Sequence, residues 1–245
     1  KKSFSSSLVK IIGVITSLAV SLYLGRSLGA EGLGIINLAN KIVTLLMVFT
    51  LFGFPLVLIK EWAISYNKND MQRIGDYMSS SYIFNGIVLF LVVLIFILLA
   101  PWISDYVFNS PKFKIPFMIA IVTVVPMVFS RIHMSGLIGY KKIWQSNLVN
   151  QTLSIWILGV LLLVSSILKF QITLVNVAIM YAFGRISVSV FALVYWRKLY
   201  TYKGKTKNIT LNLLKTAWPL FFVSASGIIA ANSDAIMLGW LQGTY

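Results

Sequence analysis

Seven apolar runs of about 20 residues decide what this chain can fold into, because each is long enough to cross roughly 30 Å of hydrocarbon as an α-helix. The cleanest, Met78 to Ala100, holds no charge, and Pro101-Trp102 closes it with an indole at interface depth. The others are Leu8 to Gly25, Ile35 to Ile59, Ile115 to Leu137, Leu148 to Leu168, Thr173 to Tyr195 and Leu213 to about Leu241. A backbone in hydrocarbon must satisfy its own hydrogen bonds, so only helices and closed barrels span. No alternating strands of the kind a barrel needs occur. The predicted fold class is all-α, a polytopic transmembrane helix bundle.

A bend is expected near Gly53 and Pro55 in the second run; Pro126 lies inside the fourth run and Pro219 early in the seventh. The stretch Gly29-Ala30-Glu31-Gly32-Leu33-Gly34 predicts a turn between the first two runs. It is not a nucleotide loop, because it lacks the Lys-Ser/Thr ending and a preceding strand.

With 58% hydrophobic and 11% charged residues, the composition lies outside that of soluble domains. The absence of cysteine excludes disulfides, thiolate metal sites and thiol nucleophiles. One histidine and six carboxylates leave too little for metal or acid–base chemistry, and Asp105 alone is no catalytic base. A transporter without cofactor or metal is expected, not an enzyme. Lys1, Lys2 and Lys10 ahead of an apolar run resemble a signal peptide, yet that run is too long, ends in Arg26 and is followed by further spans. The chain starts without methionine and stops just after an apolar segment, as expected for a piece of a longer protein.

Orientation follows from the 21 Lys and Arg residues. Fifteen fall before the first run or around the loops after the second, fourth and sixth. Four (Arg26, Lys112, Lys114 and Lys169) fall on the other side, and Lys41 and Arg185 lie inside runs. The positive-inside bias places the N-terminus in the cytoplasm. The net charge of +15 then reflects topology and lipid headgroups rather than nucleic acid. Loops are too short to fold alone, so function must reside within the helices.

Five isolated ionisable groups interrupt or border the apolar runs: Lys41, Arg131, His133, Arg185 and Asp234. Such groups are expensive in hydrocarbon and normally face a cavity or a partner. Arg185 lies about twelve residues into its run, near mid-membrane, and is the leading candidate for an anion-binding cavity. Lys41 lies about 9 Å below the outer end and is a second candidate, although it can also snorkel. Arg26, beside the glycine-rich turn, is a third. Arg131 and His133 suit an inner mouth, and Asp234 a counter-charge or ion-coupling group.

Tyr23-Leu24-Gly25-Arg26-Ser27-Leu28-Gly29-Ala30-Glu31-Gly32-Leu33-Gly34 resembles the "aR-x-LG-x-eG-x-G" signature of bacterial polysaccharide flippases of the multidrug/oligosaccharidyl-lipid/polysaccharide exporter superfamily. Asp234-Ala235-Ile236-Met237-Leu238-Gly239 resembles the "D-x-x-x-LG" start of that family's second lobe. A weak internal echo points the same way: Leu24 to Gly29 and Leu238 to Gly243 each place glycines four apart after a leucine.

The resemblance implies a full-length protein of twelve to fourteen helices in two lobes. Residues 1–200 would form the six-helix first lobe, and 201–245 a cytoplasmic linker and the seventh helix. It further implies flipping of a lipid-linked (undecaprenyl-pyrophosphate) oligosaccharide across a bacterial or archaeal inner membrane by alternating access. Membrane lipids, and H+ or Na+ as coupling ion, would be partners. A peptidoglycan-precursor flippase and a cation-coupled multidrug antiporter are the alternatives. Only Arg26 and Asp234 match motif positions of the family.

Overall fold

The computed structural model describes residues 2–242; Lys1 and residues 243–245, including Gly243 of the internal echo, lie outside the described residues. Helices α1 (Lys2–Leu51), α2 (Phe54–Asn67), α3 (Met71–Trp102), α4 (Lys114–Val122) and α5 (Val124–Gly139) come first. They are followed by α6 (Ile143–Asn147), α7 (Leu153–Ile167), α8 (Leu174–Leu199) and α9 (Thr210–Gln242). No strand occurs among the described residues. The chain is an all-α multi-pass membrane bundle; among the described residues five helices are long and apolar enough to cross, with a sixth span if the bent pair of α6 and α7 is counted as one.

The first of those five, Leu8–Leu51, would be twice a bilayer long if straight. Gly29 breaks it, with φ 74° and ψ 178°, a conformation open to glycine and closed to residues with a Cβ. In a straight helix Ser17 and Thr44 would stand about 40 Å apart; here both line one cavity. The helix therefore doubles back into a first arm before Gly29 and a second arm after it. The sequence predicts a turn across residues 29–34; the structure compresses it to Gly29, with helix on both sides.

The bend expected near Gly53 and Pro55 becomes a break, and the fourth run also breaks near Pro126, whereas α9 runs unbroken through Pro219. The second run stops at Leu51 and resumes as α2 with Pro55 in its first turn, where the missing amide costs nothing. Gly53, at φ 74°, is also where α9 crosses: a Cβ would meet the Phe221 amide nitrogen at 2.7 Å and the Ala217 carbonyl oxygen at 2.8 Å. Pro126 leaves the Val122 carbonyl without its helical donor, and α4 hands over to α5 at Thr123. The fifth span breaks without proline or glycine, through a π-helical turn at Leu148–Thr152 and a 48° bend.

The two ends of the bundle are tied differently. At one end Glu31 pairs with Lys112 at 3.0 Å. At the other, Arg73 pairs with Glu61 at 2.6 Å, and Asp76 and Ser80 accept from the amides of Lys207 and Ile209. These bonds pin the basic segment after α8 against the start of α3. Above it the indoles of Trp62 and Trp196 stack at 5.1 Å, with Tyr200 and Tyr140 on Trp196. Without hydrophobic drive between helices in lipid, such close van der Waals packing is what holds them together.

Gly29→Ala is expected to cost about 1–3 kcal/mol from backbone strain alone, since no atom lies within 4 Å of the added Cβ. Gly34→Ala, helical and equally open, should be neutral or stabilising by up to about 1 kcal/mol. Denaturant titration of the detergent-solubilised protein followed by tryptophan fluorescence separates the two.

Candidate functional site

A cavity of about 420 Å³ lies between both arms of α1, α5, the fifth span and α8. Its polar wall is assembled from pairs spaced four residues apart, which share one helical face. Ser17 and Ser21 come from the first arm, Asn40 and Thr44 from the second, Asn150 and Ser154 from the fifth span, and Tyr181 and Arg185 from α8. The helix α5 adds Arg131, one turn beyond Met127.

Arg185 is held rather than loose. Its Nη1 donates to Thr123 Oγ1 at 2.5 Å and its Nη2 to Asn40 Oδ1 at 2.7 Å, and its guanidinium carbon lies 5.8 Å from the centroid of the Tyr181 ring. Thr123 can accept because its own hydroxyl proton goes to the Ala120 carbonyl at 2.7 Å. The break between α4 and α5 thus exposes the hydroxyl that orients the arginine. Arg131 contacts Met134 Sδ at 3.7 Å, a weak acceptor.

No carboxylate balances this pair. Among the described residues the ion pairs are Arg73–Glu61 and Lys112–Glu31, both at the ends of the bundle. A guanidinium has five N–H donors, and Arg185 commits two of them to neutral partners. Two cations carried on membrane-spanning helices, in a polar space with unused donors, suit an anion with several oxygens, such as a phosphate or diphosphate.

The chamber continues toward the basic end. A further polar space of about 400 Å³, lined by Lys10, Asn147 and Thr152, shares Ser17, Asn150 and Ile155 with it. The π-helical turn at Leu148–Thr152 places Asn150 at this junction, and such turns recur at functional sites.

Of the residues expected from the sequence, Arg185 and Arg131 meet in one cavity. Lys41 is half-buried but not among the lining residues; one step from Asn40 turns a side chain about 100° around the helix. Arg26 is exposed near the Gly29 turn and also lies outside the cavity lining. His133 is buried between α5 and α3, sharing a 2.6 Å hydrogen bond with the Tyr82 hydroxyl, away from the chamber. Asp234 is exposed on α9 and forms no ion pair among the described residues.

The neutral residues that hold Arg185 or coat the walls, such as Asn40 and Thr123, are not among those expected from the sequence. The signal for them was present as polar pairs four apart inside apolar runs.

With no native cysteine, single replacements report on the chamber directly. Ser130→Cys and Ser154→Cys should react with a hydrophilic thiol reagent in opened membranes, whereas Ser135→Cys, at a position with 0% exposure, should stay unlabelled. Equal labelling of all three would mean that the chamber is not a water-filled space.

A family model described as "Polysaccharide biosynthesis protein" matches residues 1–245. No curated protein and no solved structure matches the chain.

Proposed function

From the premise that this chain belongs to the polysaccharide biosynthesis protein family, we propose that it is a membrane transporter that flips lipid-linked oligosaccharide units from the inner to the outer leaflet. The observation that carries this reading is the chamber lined by Arg131 and Arg185 with no carboxylate to neutralise it. The phosphate groups joining lipid to sugar would take the unused guanidinium donors, while the serine and asparagine walls offer partners to sugar hydroxyls.

Alternating access supplies the path. The chamber communicates with the space lined by Lys10, at the end whose Lys and Arg excess marks it as cytoplasmic. Residues 1–200 act as one lobe and α9 opens a second, so that rocking of the lobes exposes the arginines to each side in turn. H+ or Na+ entry would drive the cycle. An undecaprenyl pyrophosphate carrier fits the charge of the site. A drug-cation antiporter does not, since two uncompensated arginines repel its substrates.

Arginine rather than mere positive charge should matter, because paired parallel hydrogen bonds to phosphate need the planar fork. Arg185→Ala in the full-length protein should lower transport of a fluorescent lipid-linked oligosaccharide in proteoliposomes by about 10- to 100-fold, the worth of a charged hydrogen bond at depth. Arg185→Lys should recover only part of it, and Arg131→Ala should be impaired to a similar degree. Unaltered transport by Arg185→Ala at normal membrane abundance would sink the role.

A further inference from the structure

The seam between the first arm of α1 and α7 carries a second space of opposite character. A groove of about 670 Å³ runs along it, with walls from Ile12, Ala19, Tyr23, Gly159, Val160 and Leu163. It follows the first arm from Ile12 to Tyr23, about 16 Å, roughly half the hydrocarbon thickness. Its rims face sideways: Ile12, Val160 and Leu163 are 47%, 58% and 65% exposed. At Gly159 the two helices touch, and a Cβ there would stand 3.5 Å from Thr16 Cγ2 and 3.6 Å from Val20 Cγ2.

This groove adjoins the chamber. Val20 lines both, and Ile155 in the chamber wall is followed by Trp156 in the groove. A single helix face therefore separates a two-arginine cavity from an apolar channel open to the membrane. A ligand that was all head would leave the groove empty, and one that was all tail would leave the arginines unpaired. Only an amphiphile with an anionic head and a long hydrocarbon chain complements both.

We propose that the groove binds the first stretch of the hydrocarbon tail of the same lipid whose phosphate head sits between Arg131 and Arg185. The seam between the first arm and the fifth span is then the lateral doorway through which that lipid is held while its head is in the chamber. This assignment rests on the anionic-lipid reading of the chamber.

The test uses the full-length protein in phosphatidylcholine nanodiscs and a long-chain isoprenyl diphosphate carrying a diazirine near the head end of its tail. Irradiation should label Ala19, Tyr23 and the 159–163 segment, and excess inorganic pyrophosphate should cut that label by at least about tenfold by taking the head's place. Gly159→Phe, which fills the floor, should lose the label while calorimetric binding of inorganic pyrophosphate stays within about twofold of wild type, showing an intact fold.

Two results overturn the groove alone: pyrophosphate-sensitive label on other faces, or equal labelling of the groove by a diazirine phosphatidylcholine, meaning an ordinary bilayer chain. Pyrophosphate that fails to bind, or binds equally to Arg185→Ala, overturns the chamber reading and this proposal with it.

Discussion

Arg185 ties together the parts of the bundle that define its interior. Insertion of an arginine at mid-membrane costs about 3 kcal/mol, and the surrounding structure answers that cost with two neutral hydrogen bonds rather than a counter-charge. One bond reaches the second arm of α1 through Asn40, and the other reaches the break between α4 and α5 through Thr123. Those acceptors lie 145 and 62 residues from the arginine in sequence, so the interior polar site forms only when three distant segments have packed. The doubling back at Gly29 is a precondition, because it brings Ser17 and Thr44 to the same cavity wall. Neutral ligands leave the guanidinium charge in place. A carboxylate there would have satisfied it more strongly and removed its attraction for an anion.

The apolar runs were legible because lipid removes alternatives: a run of about 20 apolar residues has one way to satisfy its backbone. The break at Gly53 and Pro55 was legible too, since a glycine conformation or a missing amide is a local property, although Pro219 carries the same mark and leaves α9 unbroken. Two features were not. The extent of the turn after the first span was overestimated, because Glu31 to Gly34 can continue a helix once Gly29 alone makes the reversal. The π-helical turn in the fifth span carries no proline or glycine mark at all. It is imposed by packing, with Thr152 against Gly13, and packing partners cannot be read from one segment.

The site divides along similar lines. A charge inside a run announces itself, which is how Arg185 stood out, but the face it occupies depends on helical phase. Lys41 and Asn40 are neighbours in sequence, yet only Asn40 reaches the cavity. Arg131 looked like a mouth residue when judged by its distance from the end of its run. It also lines the same cavity as Arg185, which distance along the run does not reveal. The recurrent spacing of four in Ser17/Ser21, Asn40/Thr44, Asn150/Ser154 and Tyr181/Arg185 was the more informative pattern. Each pair is weak alone, and only their coincidence on facing helices makes a polar chamber.

The distribution of charge across the whole chain bears on how such a chamber can work. Binding a doubly charged head tightly would stall release, so a transporter of the proposed kind needs attraction that can be shared or withdrawn. Arg185 keeps two donors engaged by Asn40 and Thr123, which limits what it can offer a ligand. Arg131, whose side-chain hydrogen bond among the described residues is to a thioether, keeps more in reserve. A ligand moving between them exchanges partners rather than losing them, and the polar path toward Lys10 extends that exchange to the basic end. The same reasoning explains why the carboxylates sit where they do. Glu31, Glu61 and Asp76 are all spent at the ends, pairing with Lys112, Arg73 and the amide of Lys207, where they fix loops without neutralising the interior.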